Sequence, residues 1–151
     1  MKGFLATLTA PGDTVLSLRK GNYSLEKVRS TLDDFLGPRF RTLDKNRIFL
    51  AVEEALVNVF EHTYKDTDGV LEISMSHMAD RVHLELKDSG PVFDPTSIPM
   101  PDPESLAASG GDGGYGLFLM RSIMHVEHRA PATGGNLLIL EKRYPSLEDA
   151  V

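Results

Sequence analysis

The apolar positions of this chain repeat with two periods, and the switches between them mark out its elements. Thr14-Val15-Leu16-Ser17-Leu18 alternates as a short strand, Phe4 to Thr9 suggests another, and Pro11-Gly12 predicts the turn between them. Ser24 can cap a helix in which Leu25, Val28, Leu32 and Phe35-Leu36 recur at helical spacing until Gly37-Pro38 stops it. Asp44 is the expected cap of a second helix, whose Ile48, Val52, Ala55-Leu56 and Val59 form one apolar stripe. Glu54, Asn58 and His62 form a separate polar row on it. After the Asp68-Gly69 turn the period becomes two: Leu71, Ile73 and Met75 alternate with Glu72, Ser74 and Ser76. Ala79-Asp80 turns the chain back, and Val82, Leu84 and Leu86 then share a face opposite Arg81, His83, Glu85 and Lys87. The same parity carries Asp88 onto the apolar face, where an ionised carboxylate needs a partner.

From Gly90 to Gly116 no periodicity survives. That stretch holds five of the nine prolines and six of the thirteen glycines, and no lysine or arginine occurs from Asp88 to Met120. A long structureless segment inside a compact domain is usually functional or disordered. A helix is predicted from about Gly116 to His125, followed by strands at Val126 to Arg129 and Leu137 to Lys142 around a Gly134-Gly135 turn. This order predicts an α/β (α+β) two-layer sandwich, with helices on one face of a mixed, largely antiparallel sheet. One domain is expected across residues 1–151, with its core at about residues 14–144.

Composition narrows the function classes. A chain of 151 residues supports a single domain. With no cysteine, disulfides, thiolate metal sites and cysteine nucleophiles are excluded. No apolar run approaches the roughly 18 residues needed to span a bilayer, and the amino end is too short and polar for a secretory signal, so a cytoplasmic protein is expected. A formal net charge of −6 without a basic cluster argues against a nucleic-acid surface.

Three segments carry candidate chemistry. Glu54 and Asn58 lie one helical turn apart, Asp88-Ser89-Gly90 closes a strand, and Gly110-Gly111-Asp112-Gly113-Gly114-Tyr115-Gly116 runs into a helix whose free amides can hold phosphates. Together they describe a nucleotide site. His125 and His128, three apart, lack the carboxylate or cysteine motif that would make them a convincing metal clamp.

Val52-Glu53-Glu54-Ala55-Leu56-Val57-Asn58, Asp88-Ser89-Gly90-Pro91-Val92-Phe93-Asp94-Pro95, Gly113-Gly114-Tyr115-Gly116-Leu117 and Gly134-Gly135-Asn136 occur in that order. In these blocks, from about Val15 to Tyr144, the chain resembles the GHKL, or histidine-kinase-like, ATPases, and most of all the anti-sigma-factor serine/threonine kinases of bacterial partner-switching systems. The resemblance implies ATP and Mg²⁺ as ligands, with Asn58 holding the metal through its amide oxygen. It makes Glu54 the general base for a protein hydroxyl. Asp88 would accept from the adenine amino group while Gly90 lets backbone approach the base. Phe93 would shape the pocket floor, and Gly113, Gly114, Gly116 and Leu117 would form the phosphate-binding lid hinge. The implied partners are a small anti-sigma antagonist protein and a sigma factor, with neither nucleic acid nor membrane contacted directly, and relatives of this kind imply a homodimer.

The pattern departs from that group in one respect, the lack of a basic residue in the lid; Arg121, one turn beyond Leu117, is the nearest substitute. Asn136 stands where many members of the superfamily have threonine. A non-catalytic, ATP-dependent binding module is the competing reading, favoured by the missing lid cation as the kinase is favoured by Glu54 and Asn58. A stand-alone histidine-kinase catalytic domain is weakened by the lack of an attached phosphoacceptor helix.

Overall fold

The computed structural model describes residues 13–97, 102, 104 and 115–146. Its centre is a five-stranded sheet built from β1 (Thr14–Arg19), β2 (Val70–His77), β3 (Arg81–Asp88), β4 (His125–Arg129) and β5 (Asn136–Arg143), in the order β1-β2-β3-β5-β4. Every pairing among these described strands is antiparallel, so no parallel pair supports the "mixed" part of the expectation. The period-two pattern explains the layers. Leu71, Ile73 and Met75 are fully buried, as are Val82, Leu84 and Leu86, with Leu86 directly across from Ile73 and Leu84 from Met75. Glu72, Lys87, Glu85 and His83 fall on the other face.

Three helices supply the apolar side chains that meet that sheet face. In α1 (Leu25–Leu36), the Ser24 hydroxyl accepts from the Lys27 amide at 3.1 Å, and Gly37, with φ 68°, closes the helix. Its Val28, Leu32 and Leu36 are buried in the common core. The second helix, α2 (Thr42–Val57), starts two residues before the predicted cap. Arg41 occupies the cap position without a side-chain bond, and Asp44 lies within the first turn, where its carboxylate receives Arg41 Nε at 3.2 Å. A negative charge there still complements the positive helix end. The third, α3 (Tyr115–Ile123), stops before His125, which instead pairs with Glu141 at the start of β4. Leu117 and Met120 of α3 join the core.

At its far end α2 passes into a π-helical turn over Asn58–Thr63, closed by the Tyr64 amide on the Val59 carbonyl at 2.9 Å. Just beyond this ending, the Lys20 ammonium donates to the carbonyls of Tyr64, Lys65 and Thr67. Tyr64 then ties the end of β3 to the start of β2: its hydroxyl donates to the Val70 carbonyl at 3.0 Å and accepts from the Ser89 amide at 2.8 Å. The strand expected at Phe4 to Thr9, its Pro11-Gly12 turn, and Gly113 and Gly114 lie outside the described residues. No helix among the described residues is long and apolar enough to cross a membrane.

Candidate nucleotide site

Asp88 ends β3 on the helix-covered face and is 4% exposed, as its parity requires. Its Oδ1 accepts from the Gly90 amide at 3.0 Å and from Asn136 Nδ2 at 3.0 Å. Gly90 is also sterically obligatory, because a Cβ there would come within 2.6 Å of Thr63 Cγ2. Gly135 crosses directly over the same strand end: at φ 80°, a Cβ on it would sit 2.0 Å from the Asp88 carbonyl oxygen.

Asn136 is a hub. It pairs with Asp88 in the β3–β5 register and is itself 4% exposed. Besides Asp88, its Nδ2 donates to the Pro91 carbonyl at 2.8 Å, while its Oδ1 accepts from the Phe93 amide at 2.9 Å and from His128 Nε2 at 2.8 Å. Two donors and two acceptor sites are thus all used. Since the Phe93 amide can only donate and the Pro91 carbonyl can only accept, the carboxamide orientation is fixed, and His128 must carry its proton on Nε2.

Asn58, at the junction of α2 with the π-helical turn, faces this network. Asn58, Thr63, Asp88 and Asn136 line one cavity with Phe93 and His128, and Val59, Pro95 and Leu138 complete its walls. The cavity holds about 10 Å³, room for at most one water. The Asn58 amide nitrogen is buried and has no hydrogen-bond partner among the described residues. Such an amide has capacity to spare for a ligand, and its oxygen is the neutral, hard donor that Mg²⁺ accepts. No cluster of three acidic, histidine or cysteine ligands occurs among the described residues.

Glu54 lies one turn before Asn58, beside the first turn of α3: a Cβ on Gly116 would stand 3.1 Å from Glu54 Oε2. Burial raises the Glu54 carboxyl above its usual range, and the charges of Glu53 and Glu61 push the same way. Leu117, in that same turn of α3, is only 3% exposed and points into the core, so only its backbone is left to meet a ligand. Phe93 stacks on His62, with ring centroids 5.9 Å apart. Beyond it, Asp94 shapes a turn by accepting from the Thr96 amide at 2.8 Å and hydroxyl at 2.6 Å. Burial would raise the Asp94 carboxyl, but those bonds and the nearby His128 ring hold it below the usual range. Arg121, the candidate substitute for a lid cation, donates to the Thr96 carbonyl at 3.2 Å.

With this arrangement of helix, strand end and glycine-flanked turn in view, the comparisons with known proteins become decisive. The profile of the histidine kinase-like ATPase domain matches residues 21–142. This chain belongs to the histidine kinase-like ATPase family. Among curated proteins it is similar to the serine-protein kinase RsbW of Oceanobacillus iheyensis, 31% identical over 80 residues, covering 50% of this chain and 51% of the relative. The protein of the same name from Staphylococcus aureus strain JH9 is 31% identical over 81 residues, with the same shares covered. The chain therefore spans about half the length of the curated relatives it matches.

Within this member of the histidine kinase-like ATPase family, Asn58, Asp88 and Phe93 line one cavity, the Gly90 amide bonds to Asp88 without lining it, and Glu54 meets Gly116 one turn before Asn58. Sequence reasoning missed Thr63 and His128 as cavity residues. For His128 a signal existed: on a strand, residues three apart point to opposite faces, which removes the pairing with His125 and puts His128 opposite Leu138 on the helix side. A larger groove of about 550 Å³, lined by Phe40, Arg41, Ile123, Lys142 and Tyr144 among others, contains none of the predicted site residues.

Proposed function

We propose that this chain is an ATP- and Mg²⁺-dependent protein serine/threonine kinase of a bacterial partner-switching system, which phosphorylates a small antagonist protein and alternatively holds a sigma factor, working in the cytoplasm as a homodimer. The observation that carries this reading is the convergence of Asn58 and Asp88 on one cavity, with Glu54 a single turn away against the start of α3. The RsbW relatives, named as serine-protein kinases, supply the substrate class.

Each residue then has a task. Asp88, with Oδ1 already engaged, offers Oδ2 to the adenine amino group. Asn58 would hold the metal through its carboxamide oxygen, and Gly116 would offer its backbone amide to phosphate oxygens, the role that the resemblance also assigns to Gly113 and Gly114. Bound there, Mg²⁺ would supply neutralisation of phosphate charge. The substrate hydroxyl oxygen bonds to the γ-phosphorus as the bond from that phosphorus to the β–γ bridging oxygen breaks. ADP departs, and the hydroxyl proton passes to the Glu54 carboxylate, whose raised affinity for protons suits a base.

One observation favours a non-catalytic, ATP-dependent binding module instead. No lysine or arginine lies between Asp88 and Met120, and Arg121 bonds to the Thr96 carbonyl. Incubating the purified protein with radiolabelled ATP, Mg²⁺ and antagonist proteins from its genomic neighbourhood separates the two. Label on a serine or threonine of a partner is the expected result; tight ATP binding with no transfer to any partner supports the module.

A further inference from the structure

The cavity beneath Asp88 is too small for a base. It has room for at most one water, whereas a purine fills the space of several. Most of its walls are fixed in regular structure: Asn58 and Thr63 in the helical segment, Asp88, Asn136 and His128 in the sheet. Phe93 and Pro95 belong instead to the connection after β3, so that connection must yield when a base enters.

Yielding has a cost for Asn136. Two of its four hydrogen bonds, those to the Pro91 carbonyl and the Phe93 amide, reach the connection itself. The other two run to the neighbouring strands: Nδ2 donates to Asp88 Oδ1 at the end of β3, and Oδ1 accepts from His128 Nε2–H of β4, where His128 is in register opposite Leu138 with a side chain 5% exposed. The His128 bond is anchored in the β4–β5 pairing and not in the connection. It keeps the Asn136 oxygen turned toward β4 and therefore the Asn136 amino group turned toward Asp88 Oδ1.

We propose that His128 is a specificity-determining positioning residue: by holding Asn136 in place while the site opens, it leaves Asp88 Oδ2 as the one free acceptor and so selects a base that presents an amino group. This rests on the reading of Asp88 as the base acceptor. Guanine presents a carbonyl where adenine presents its amino group, and an anionic acceptor rejects it. Without the His128 donor, the bond to Asp88 Oδ1 is left to orient Asn136 by itself, and the selection weakens.

The test is titration of the purified protein with Mg-ATP and Mg-GTP by calorimetry. His128→Leu is expected to lower ATP affinity about five- to tenfold and leave GTP affinity unchanged, narrowing the preference by that factor. His128→Gln, whose amide can donate to the same carbonyl, is expected to keep the wild-type ratio within about twofold. In an Asn136→Ala background, His128→Leu should have no further effect. A merely structural histidine would alter thermal stability without moving the ratio or being rescued by glutamine. His128→Met serves as the apolar variant should the leucine one fail to fold. An unchanged ratio in the apolar variant, an equal loss in His128→Gln, or an undiminished effect without Asn136 overturns the proposal. Asp88→Ala separates the two readings: if it binds ATP as wild type does, the placement of the base fails, and if it loses ATP while the apolar His128 variant discriminates normally, only the role of His128 does.

Discussion

At the residue scale, Glu54 and Asn58 hold unused capacity in opposite senses. Glu54 is an acid whose proton affinity has been raised above the ordinary 4.5, so the folded state holds its proton more tightly than the unfolded one does. Stability is therefore lost as pH rises through that window, and the penalty persists at neutral pH. Glu54→Gln should match the wild type near pH 4 and melt higher at pH 7, as followed by circular dichroism. The same variant should bind ATP within a few-fold of wild type and transfer no phosphate, since a base acts on the reaction and not on ground-state binding. A variant less stable than wild type at pH 7 would show that Glu54 serves the fold. Asn58 makes the complementary case with its unpartnered amide. Asn58→Ala should weaken Mg-ATP far more than adenosine, and calorimetry showing equal losses would remove its metal role.

At the element scale, the outer face of the sheet carries its own pH dependence. His83 of β3 lies directly across from Glu141 of β5, with Nδ1 2.7 Å from Glu141 Oε2 and Nε2 2.8 Å from Glu85 Oε2. Burial would lower the His83 pKa, yet the bonds and charges of Glu141 and Glu85 outweigh it and raise the value above 6.5. A raised base stabilises fully below its unfolded pKa and loses that contribution as pH climbs through the folded one. Wild type should therefore exceed His83→Gln in melting temperature most at about pH 5–6, with the gap closing at higher pH. A gap that widened with pH would mean that the imidazolium is not held by these carboxylates. Elements of this kind were legible where one period ran long enough: β2, β3 and the Glu54–Asn58 row follow from spacing alone. The π-helical turn at Asn58 was not, because one wide turn leaves no repeat to read. The start of α2 was misplaced because Asp44 serves the helix end equally well from inside the first turn.

At the scale of the whole molecule, the layered fold followed from the order of elements, whereas half of the site depended on pairings that no local pattern carries. Asp88 announced itself by parity within one strand. The convergence of His128, Asn136 and Thr63 on it required knowing that β5 lies between β3 and β4 and that the π-helical turn packs beneath Gly90. The family blocks assign Gly90 to the base, whereas the packing shows Gly90 pressed against the Thr63 and Tyr64 side chains and Gly135 against the Asp88 backbone.

The bond between Asp88 and Asn136 joins residues 48 positions apart and fastens the two ends of the stretch that contains the proline- and glycine-rich segment. Such a fastening makes the length of what lies between nearly irrelevant to the scaffold. The entropic charge for closing a loop grows only with the logarithm of its size, so lengthening this one by half should cost about 0.4 kcal/mol. A glycine-serine insertion after residue 104 should accordingly lower the melting temperature by only about 1–2 °C, whatever it does to nucleotide turnover; a much larger drop in a thermal scan would show that the segment helps hold the sheet together. Seen this way, the chain is a closed frame with an open margin. Changes of length confined to the proline- and glycine-rich segment should therefore leave the pairing of β3, β5 and β4 standing.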